Sequence, residues 1–388
     1  MGRRLFENSG EFLLFLTLGL LFIGGVNIFS SSFVVASQDY NNSYHFLIRH
    51  GISIGIGGFG TYFIYRLDYR KVIKALPIWL GIVALLLALV LHFGIVVNGA
   101  RRWLGPFFGF QIQPSELAKL VAIMLGAWYS SFCYRKGEIP TIFYWPTGVI
   151  FLFFGLIYLQ PDFGTGLLVL SFFILTIIVG GLSLREIIGG GIVGIGAVSF
   201  VAVQAPYRFA RLVHWWDPWE AQTAGGYQAV QSFLAIGSGG WFGMGGGQGI
   251  SKFYYLPEAH TDFAFAVFAQ EWGFLGVAGV LLLFFLFLIS GLRIAQKATD
   301  PLGFCLATGM TLFIVLQAFG NGMMVSGLLP VTGIPMPFFS YGGSFMLTNL
   351  AAIGLILSVY RVRDLADKGE GEKKSLRRDS ERRAGDSE

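Results

Sequence analysis

Apolar residues run along this chain in blocks about twenty residues long, the length at which a helix crosses a bilayer core. Read in order, the blocks predict spans near 11–35, 46–65, 75–97, 114–134, 141–160, 162–181, 186–205, 261–290, 302–326 and 337–360. The weak alternation of a lipid-facing barrel strand is absent, so the expected fold class is an all-α integral membrane protein, a polytopic bundle of ten transmembrane helices. Gln160-Pro161-Asp162 divides what would otherwise read as one long span into a tight hairpin. The first block follows Met1-Gly2-Arg3-Arg4, but it is longer than the roughly 7–15 apolar residues of a signal peptide and reads as an uncleaved first span. Two segments stay outside the spans. One is a long loop over 206–260, within a membrane domain expected over 1–360. The other is a charged tail over 361–388, expected to be disordered and free to touch anionic lipid.

Composition agrees with the pattern. The chain is 54% hydrophobic and 13% charged, with a mean hydropathy of +0.66, against about 25% charged in a soluble domain. A soluble domain is excluded, and nothing points to nucleic acid. Placing the N-terminus in the cytoplasm puts twenty Lys and Arg on the cytoplasmic side and six on the other: Arg49, Arg101, Arg102, Arg208, Arg211 and Lys252. That asymmetry predicts cytoplasmic termini and an extracytoplasmic 206–260 loop. Loops of that length without a disordered composition tend to carry function. Cys133 and Cys305 offer neither a disulfide framework nor metal spacing.

Charges within apolar spans cost about 2.5–3.5 kcal/mol each at a helix centre, so each calls for a reason. In Gln113-Pro114-Ser115-Glu116-Leu117-Ala118-Lys119, the proline suits a first helical position, and Glu116 and Lys119 share a face. The pair either locks helix to helix or lines a cavity for a polar substrate. Arg101 and Arg102 beside Trp103 suit a diphosphate at the interface, or serve as an interfacial anchor. Asp162 either caps the sixth span or faces the hairpin mouth. Asp262, where Tyr255-Leu256-Pro257-Glu258-Ala259-His260-Thr261-Asp262-Phe263 turns into the eighth span, stands where a base for a lipid-linked sugar should be, with an N-cap as the alternative. Glu271 is half a helical turn out of phase with Asp262 and is expected to pair within the bundle. The glycine runs at 237–240 and 243–247 lack the preceding strand and following lysine of a phosphate-binding loop and read as a flexible or close-packed outer loop. Gly189-Gly190-Gly191 either lets helices part for a lipid tail or packs them closely.

Gln-Pro-Ser-Glu-Leu-Ala-Lys at 113–119, Gln-Pro-Asp-Phe-Gly-Thr at 160–165, Leu-Pro-Glu-Ala-His-Thr-Asp-Phe at 256–263, Gly-Leu-Leu-Pro-Val-Thr-Gly at 327–333 and Ser-Tyr-Gly-Gly-Ser at 340–344 together resemble the successive signatures of the SEDS (shape, elongation, division and sporulation) family of peptidoglycan glycosyltransferases. The resemblance covers about 11–362 and is strongest to the division branch, through Asn98 to Leu104 and the Leu-Pro-Glu-Ala form of the loop motif; Pro330 to Pro335 is shared with the elongation branch. It implies polymerisation of lipid II, the undecaprenyl-diphosphate-linked disaccharide pentapeptide, outside the cytoplasmic (inner) membrane, with Asp262 as the essential acid. It also places the family's buried Glu and Lys pair on Glu116 and Lys119 and its other polar motif positions on Asp162 and Ser344; these, with His260 and the cations Arg101, Arg102, Arg208 and Arg211 available for the diphosphate, are the expected substrate-binding residues. The implied partners are a class B penicillin-binding transpeptidase and other division or elongation proteins. A divalent cation, Mg or Mn, bridging Asp262 or Asp162 to the diphosphate would serve the leaving group. Tyr254 stands where some division members carry an acid. Carriage of lipid II or another solute across the membrane is the competing reading. It would call for ions along a path through both leaflets, whereas the acids and cations here gather at the expected outer interface.

Overall fold

The computed structural model describes residues 9–97, 100–107, 110–204, 206–220, 224–253 and 255–385, with the side chains at 97, 107, 110, 198, 201–204, 206–208, 211–212, 224–225 and 369–385 left out of the description. In chain order the elements are α1 (Ser9–Tyr40), α2 (His45–Arg66), α3 (Tyr69–Lys74), α4 (Leu76–Phe93), β1 (Ile95–Val97), β2 (Ala100–Phe107), β3 (Phe110–Ile112), α5 (Pro114–Lys136), α6 (Trp145–Tyr158), α7 (Phe163–Val179), α8 (Leu184–Gln204), α9 (Pro206–Trp216), α10 (Ala224–Gly239), α11 (Ala264–Gln296), α12 (Pro301–Val325) and α13 (Gly343–Gly385).

Each of the ten apolar blocks holds a helix. Among the described residues, six helices, α1, α4, α5, α11, α12 and the 343–368 part of α13, are long and apolar enough to cross a membrane, while α6 and α7 are apolar but 14 and 17 residues long. Local chemistry sets the ends. Asp68, Asp162 and Asp300 cap α3, α7 and α12 by accepting from backbone N–H groups, and Pro114, Pro146 and Pro301 occupy first turns where no N–H is needed. Gly137 closes α5 in the left-handed region.

The packing inverts that of a soluble bundle. Phe15, Leu18 and Phe22 of α1 and Ile188, Ile192 and Val193 of α8 are exposed, whereas Asn27, Ser31, Thr311, Gln317, Asn321 and Asn349 are buried. Such an arrangement suits helices whose surroundings are lipid. α5 and α12 form the centre, with α7, α11 and α13 around them. α2 and α13 run side by side in the same direction: Thr61 donates to the Leu350 carbonyl at 2.7 Å and Ser358 to that of Leu67 at 2.7 Å. α8 is peripheral, tethered at its start where Glu186 accepts from Thr141 and from the Ile142 N–H. Gly189 and Gly191 touch nothing within 4 Å at the Cβ position, so in this structure they are not close-packing contacts.

Several boundaries differ from the expectation. The third block ends at Phe93, and 95–112 forms an antiparallel three-stranded meander in the order β1-β2-β3 instead of helix and plain connector. The 206–260 segment holds two helices, α9 and α10. These dock on the bundle through Trp215 Nε1–H to the Gly327 carbonyl at 2.8 Å and Ser232 Oγ–H to that of Val325 at 2.7 Å. The last block becomes helical only at Gly343, and α13 is drawn on through the charged segment to Gly385. Pairs of Arg363 with Asp367 and Lys368 with Asp364 support that segment's first turns at four-residue spacing. α11 is interrupted at Gly273, whose φ of 64° and ψ of −168° break the helix after its first nine residues.

Candidate active site

One end of the bundle collects the polar motifs. β2 carries Arg102, the α6–α7 hairpin carries Asp162, the turn before α11 carries Asp262, and the connector from α12 to α13 carries Gly333. Asp162 accepts from the Thr165 N–H at 3.4 Å as an N-cap and keeps Arg102 Nε 3.8 Å from its Oδ2. Arg102 also donates to the Pro161 carbonyl, which ties the meander to the hairpin.

The backbone at Asp262 is held in place by a buried amide. Buried Asn321 donates to the Asp262 carbonyl at 2.7 Å and to the Ile334 carbonyl at 2.8 Å, binding the start of α11 to the 327–335 connector. Gly333 leaves room for the carboxylate: a Cβ there would stand 3.2 Å from Asp262 Oδ2. A Cβ on Gly164 of α7 would stand 3.5 Å from the Thr332 carbonyl, so α7 meets the same connector. Burial, with the nearby Glu258 and Asp162 acting in the same direction and Arg102 pulling the other way, leaves the Asp262 carboxyl pushed up to about 7. The residue itself is half-buried. A carboxylate poised near neutrality and beside a cation is the arrangement that general-base catalysis calls for.

The other expected residues divide. His260 packs its ring against Phe46 at 4.6 Å, and its carbonyl accepts from the Tyr341 N–H at 2.9 Å. Burial holds its imidazole below the usual histidine range, with Glu258 and Asp39 opposing. Arg101 is exposed and donates to the Leu91 carbonyl at 3.4 Å. Ser344 accepts from the Gln113 N–H and donates to the Gln111 carbonyl, both at 3.0 Å, joining the approach to α5 with the start of α13. Lys119 Nζ lies 2.7 Å from Glu116 Oε1 and 3.0 Å from Gln317 Oε1, between the rings of Phe313 and Phe345. That pair is sealed and makes a helix-to-helix contact between α5 and α12; neither member is among the charges acting on Asp262, though Glu116 Oε2 is left without a protein partner. The side chains of Arg208 and Arg211, and Tyr254 altogether, lie outside the described residues.

Sequence reasoning missed Asn321, Gly333 and the partner of Glu271. That partner is Lys252, the only lysine between 206 and 260, whose Nζ lies 2.6 Å from Glu271 Oε1. A carboxylate inside an apolar run must find a cation, and this was the signal available. Among the described residues no three His, Cys, Asp or Glu side chains come together as a metal-holding group. A single carboxylate such as Asp162 completed by diphosphate oxygens is nonetheless a usual way to hold Mg²⁺.

Comparison with known proteins agrees with this layout. The family described as "Cell cycle protein", covering FtsW, RodA and SpoVE, matches residues 11–364. Stage V sporulation protein E of Bacillus subtilis (strain 168) is 39% identical over 361 residues, covering 90% of this chain and 96% of its own. A probable peptidoglycan glycosyltransferase FtsW of Legionella pneumophila is 38% identical over 354 residues, covering 88% of each chain. Among solved structures, a peptidoglycan synthase complex studied for its coordination of polymerisation and crosslinking contains a chain that superposes with a TM-score of 0.73 at 30% identity, covering 90% of this chain and 97% of that one. The Thermus thermophilus rod shape determining protein RodA superposes with a TM-score of 0.66 at 30% identity, covering 90% and 96%. The chain is a multi-pass membrane protein and belongs to the FtsW/RodA/SpoVE (SEDS) family.

Proposed function

We propose that this protein is a peptidoglycan glycosyltransferase that polymerises lipid II at the outer face of the cytoplasmic membrane, with a role in cell division favoured by the several FtsW relatives. The single observation that carries the reading is Asp262, a half-buried carboxyl pushed up to about 7, standing with the Arg102–Asp162 pair at one end of a membrane bundle. The uneven split of lysine and arginine supports placing that end outside the cell and both termini inside.

The reaction joins a sugar 4-hydroxyl of one lipid II to the anomeric carbon of the growing chain. The C–O bond to undecaprenyl diphosphate breaks with inversion, and the bonding pair leaves with the diphosphate. Asp262 takes the hydroxyl proton, a contribution of roughly 10²–10⁴-fold for a well-placed base. Arg102, held in place by Pro161 and Asp162, faces the charge that develops on the diphosphate, with Arg101 on the same strand. A divalent cation held by Asp162 and the diphosphate would add Lewis-acid stabilisation. The lipid-facing, loosely attached α8 supports entry of a polyprenyl substrate from the side. A class B penicillin-binding transpeptidase is the expected partner, in keeping with the synthase complex that the chain resembles.

Purified protein, alone and with such a partner, should convert lipid II to polymer on a gel. Absence of polymer under every partnered condition, with lipid II scrambled across liposomes, would instead establish transport.

A further inference from the structure

A second buried ion pair, remote from the diphosphate chemistry, organises the break in α11. Lys252 and Glu271 are 0% and 1% exposed. Ser30 Oγ of α1 stands 2.7 Å from both Glu271 oxygens, and the Gly247 and Gly249 N–H groups donate to the same carboxylate at 3.0 and 3.3 Å. Lys252 Nζ donates to the Gly247 carbonyl at 2.7 Å, stands 3.1 Å from Ser30 Oγ, and lies 5.0 Å from the centre of the Phe33 ring. A dry ion pair is costly unless its remaining hydrogen bonds are filled, and a filled network fixes one geometry.

The glycine run is therefore a cradle for a carboxylate of the protein itself. Its loop also supplies the partners that the broken helix lacks. Met244 and Gly245 N–H groups donate to the Gln270 and Glu271 carbonyls, both at 3.0 Å, and Phe274 and Leu275 N–H groups donate to the Gly240 and Trp241 carbonyls at 2.9 and 3.1 Å. Backbone left unpaired by a break in a membrane helix must be satisfied by such neighbours. The approach is close enough to demand glycine: a Cβ on Gly243, whose φ is +82°, would stand 2.1 Å from the Glu271 carbonyl oxygen.

Lys252 and Glu271 are nineteen residues apart, and Asp262 lies midway between them. We propose that Lys252 and Glu271 are positioning residues for glycosyl transfer: by clamping both ends of the 252–271 segment to Ser30 of α1, they fix where Asp262 stands against Arg102 and Gly333. The inference rests on Asp262 being the base. Neither residue touches the reacting atoms.

The test uses the full-length protein with its transpeptidase partner, lipid II as substrate, and the variants Lys252→Met, Lys252→Met/Glu271→Gln, Ser30→Ala and Asp262→Asn. Lys252→Met strands a buried carboxylate, so it should lose stability as well as rate. The double variant removes both charges and should regain the melting temperature, because replacing both partners of a buried pair is often neutral. It should still show kcat reduced about 100-fold, as expected of misplacement by about 1 Å, with KM for lipid II little changed. Hydrogen exchange should rise over 243–263 and not elsewhere. Ser30→Ala, the mildest change, should fold normally and lower kcat severalfold. A double variant whose kcat recovers with its melting temperature, or a Ser30→Ala protein at the wild-type rate, overturns the proposal. If Asp262→Asn remains fully active, the assignment of the base fails instead; if it is inactive while the double variant and Ser30→Ala run at the wild-type rate, only the clamp fails.

Discussion

Two pairs of opposite charge, Arg102–Asp162 and Lys119–Glu116, both come from motif residues, yet the fold treats them in opposite ways. Arg102 and Asp162 are 3.8 Å apart with the arginine about one-third exposed, while Lys119 and Glu116 are 2.7 Å apart with side chains 1% and 5% exposed. The loose pair stands at the mouth of the bundle with its arginine partly exposed. The tight pair spends its capacity inside, where Gln317 and two aromatic rings complete the lysine's surroundings. Motif residues of the same charge types thus end in two different surroundings, one at the mouth of the bundle and one sealed between helices, which the sequence pattern alone does not separate.

The contrast is broken most forcefully at the sealed pair. Lys119→Met leaves Glu116 uncompensated in a dry interior and should cost about 3–5 kcal/mol of stability. It should be seen as a large fall in melting temperature and folded yield, and Lys119→Met/Glu116→Gln should recover most of it. Normal stability in the single variant would mean that water reaches the pair. At the open pair the expected effects are reversed. Arg102→Ala should lower the melting temperature less than Lys119→Met, since the pair is loose, at 3.8 Å, and its arginine is partly exposed to solvent, which weakens such pairs. It should nevertheless lower kcat/KM for lipid II by roughly 10²–10³-fold if the guanidinium steadies the leaving diphosphate, as donors aimed at developing charge do.

The smallest effect is the most diagnostic. A base must be ionised, so activity should rise with pH and reach half its plateau near 7, where burial has moved the Asp262 carboxyl. Arg102 favours the ionised form and Asp162 disfavours it. The residual activity of Arg102→Ala should therefore have its half-point at higher pH, and Asp162→Asn at lower pH. Profiles that all coincide would show that Asp262 does not titrate in the rate.

The sequence made most of the membrane architecture legible because hydropathy over twenty residues is a long and redundant signal. All ten blocks hold helices. The signal fails where apolar residues do something other than cross. Ile95, Val96 and Val97 extend the third block in composition but pair with β2 as a strand, and the eighth block runs past Gly273 although the helix breaks there. Asp262, Asp162 and Arg102 were conspicuous because charge beside an apolar run is expensive. Asn321 and Gly333 were not, since a single amide or glycine among apolar residues looks like ordinary packing. Lys252 was counted only for the side of the membrane it marks, because its carboxylate partner lies nineteen residues away across a loop whose path periodicity does not describe.

The central claim is that Asp262 is the base for glycosyl transfer. Its most direct test is lipid II polymerisation by Asp262→Asn, an isosteric change that keeps the Asn321 hydrogen bond to the backbone carbonyl of residue 262. The account predicts a folded protein that still binds lipid II and its transpeptidase partner but makes polymer at least about 100-fold more slowly. A folded Asp262→Asn protein that polymerises lipid II at the wild-type rate would contradict it.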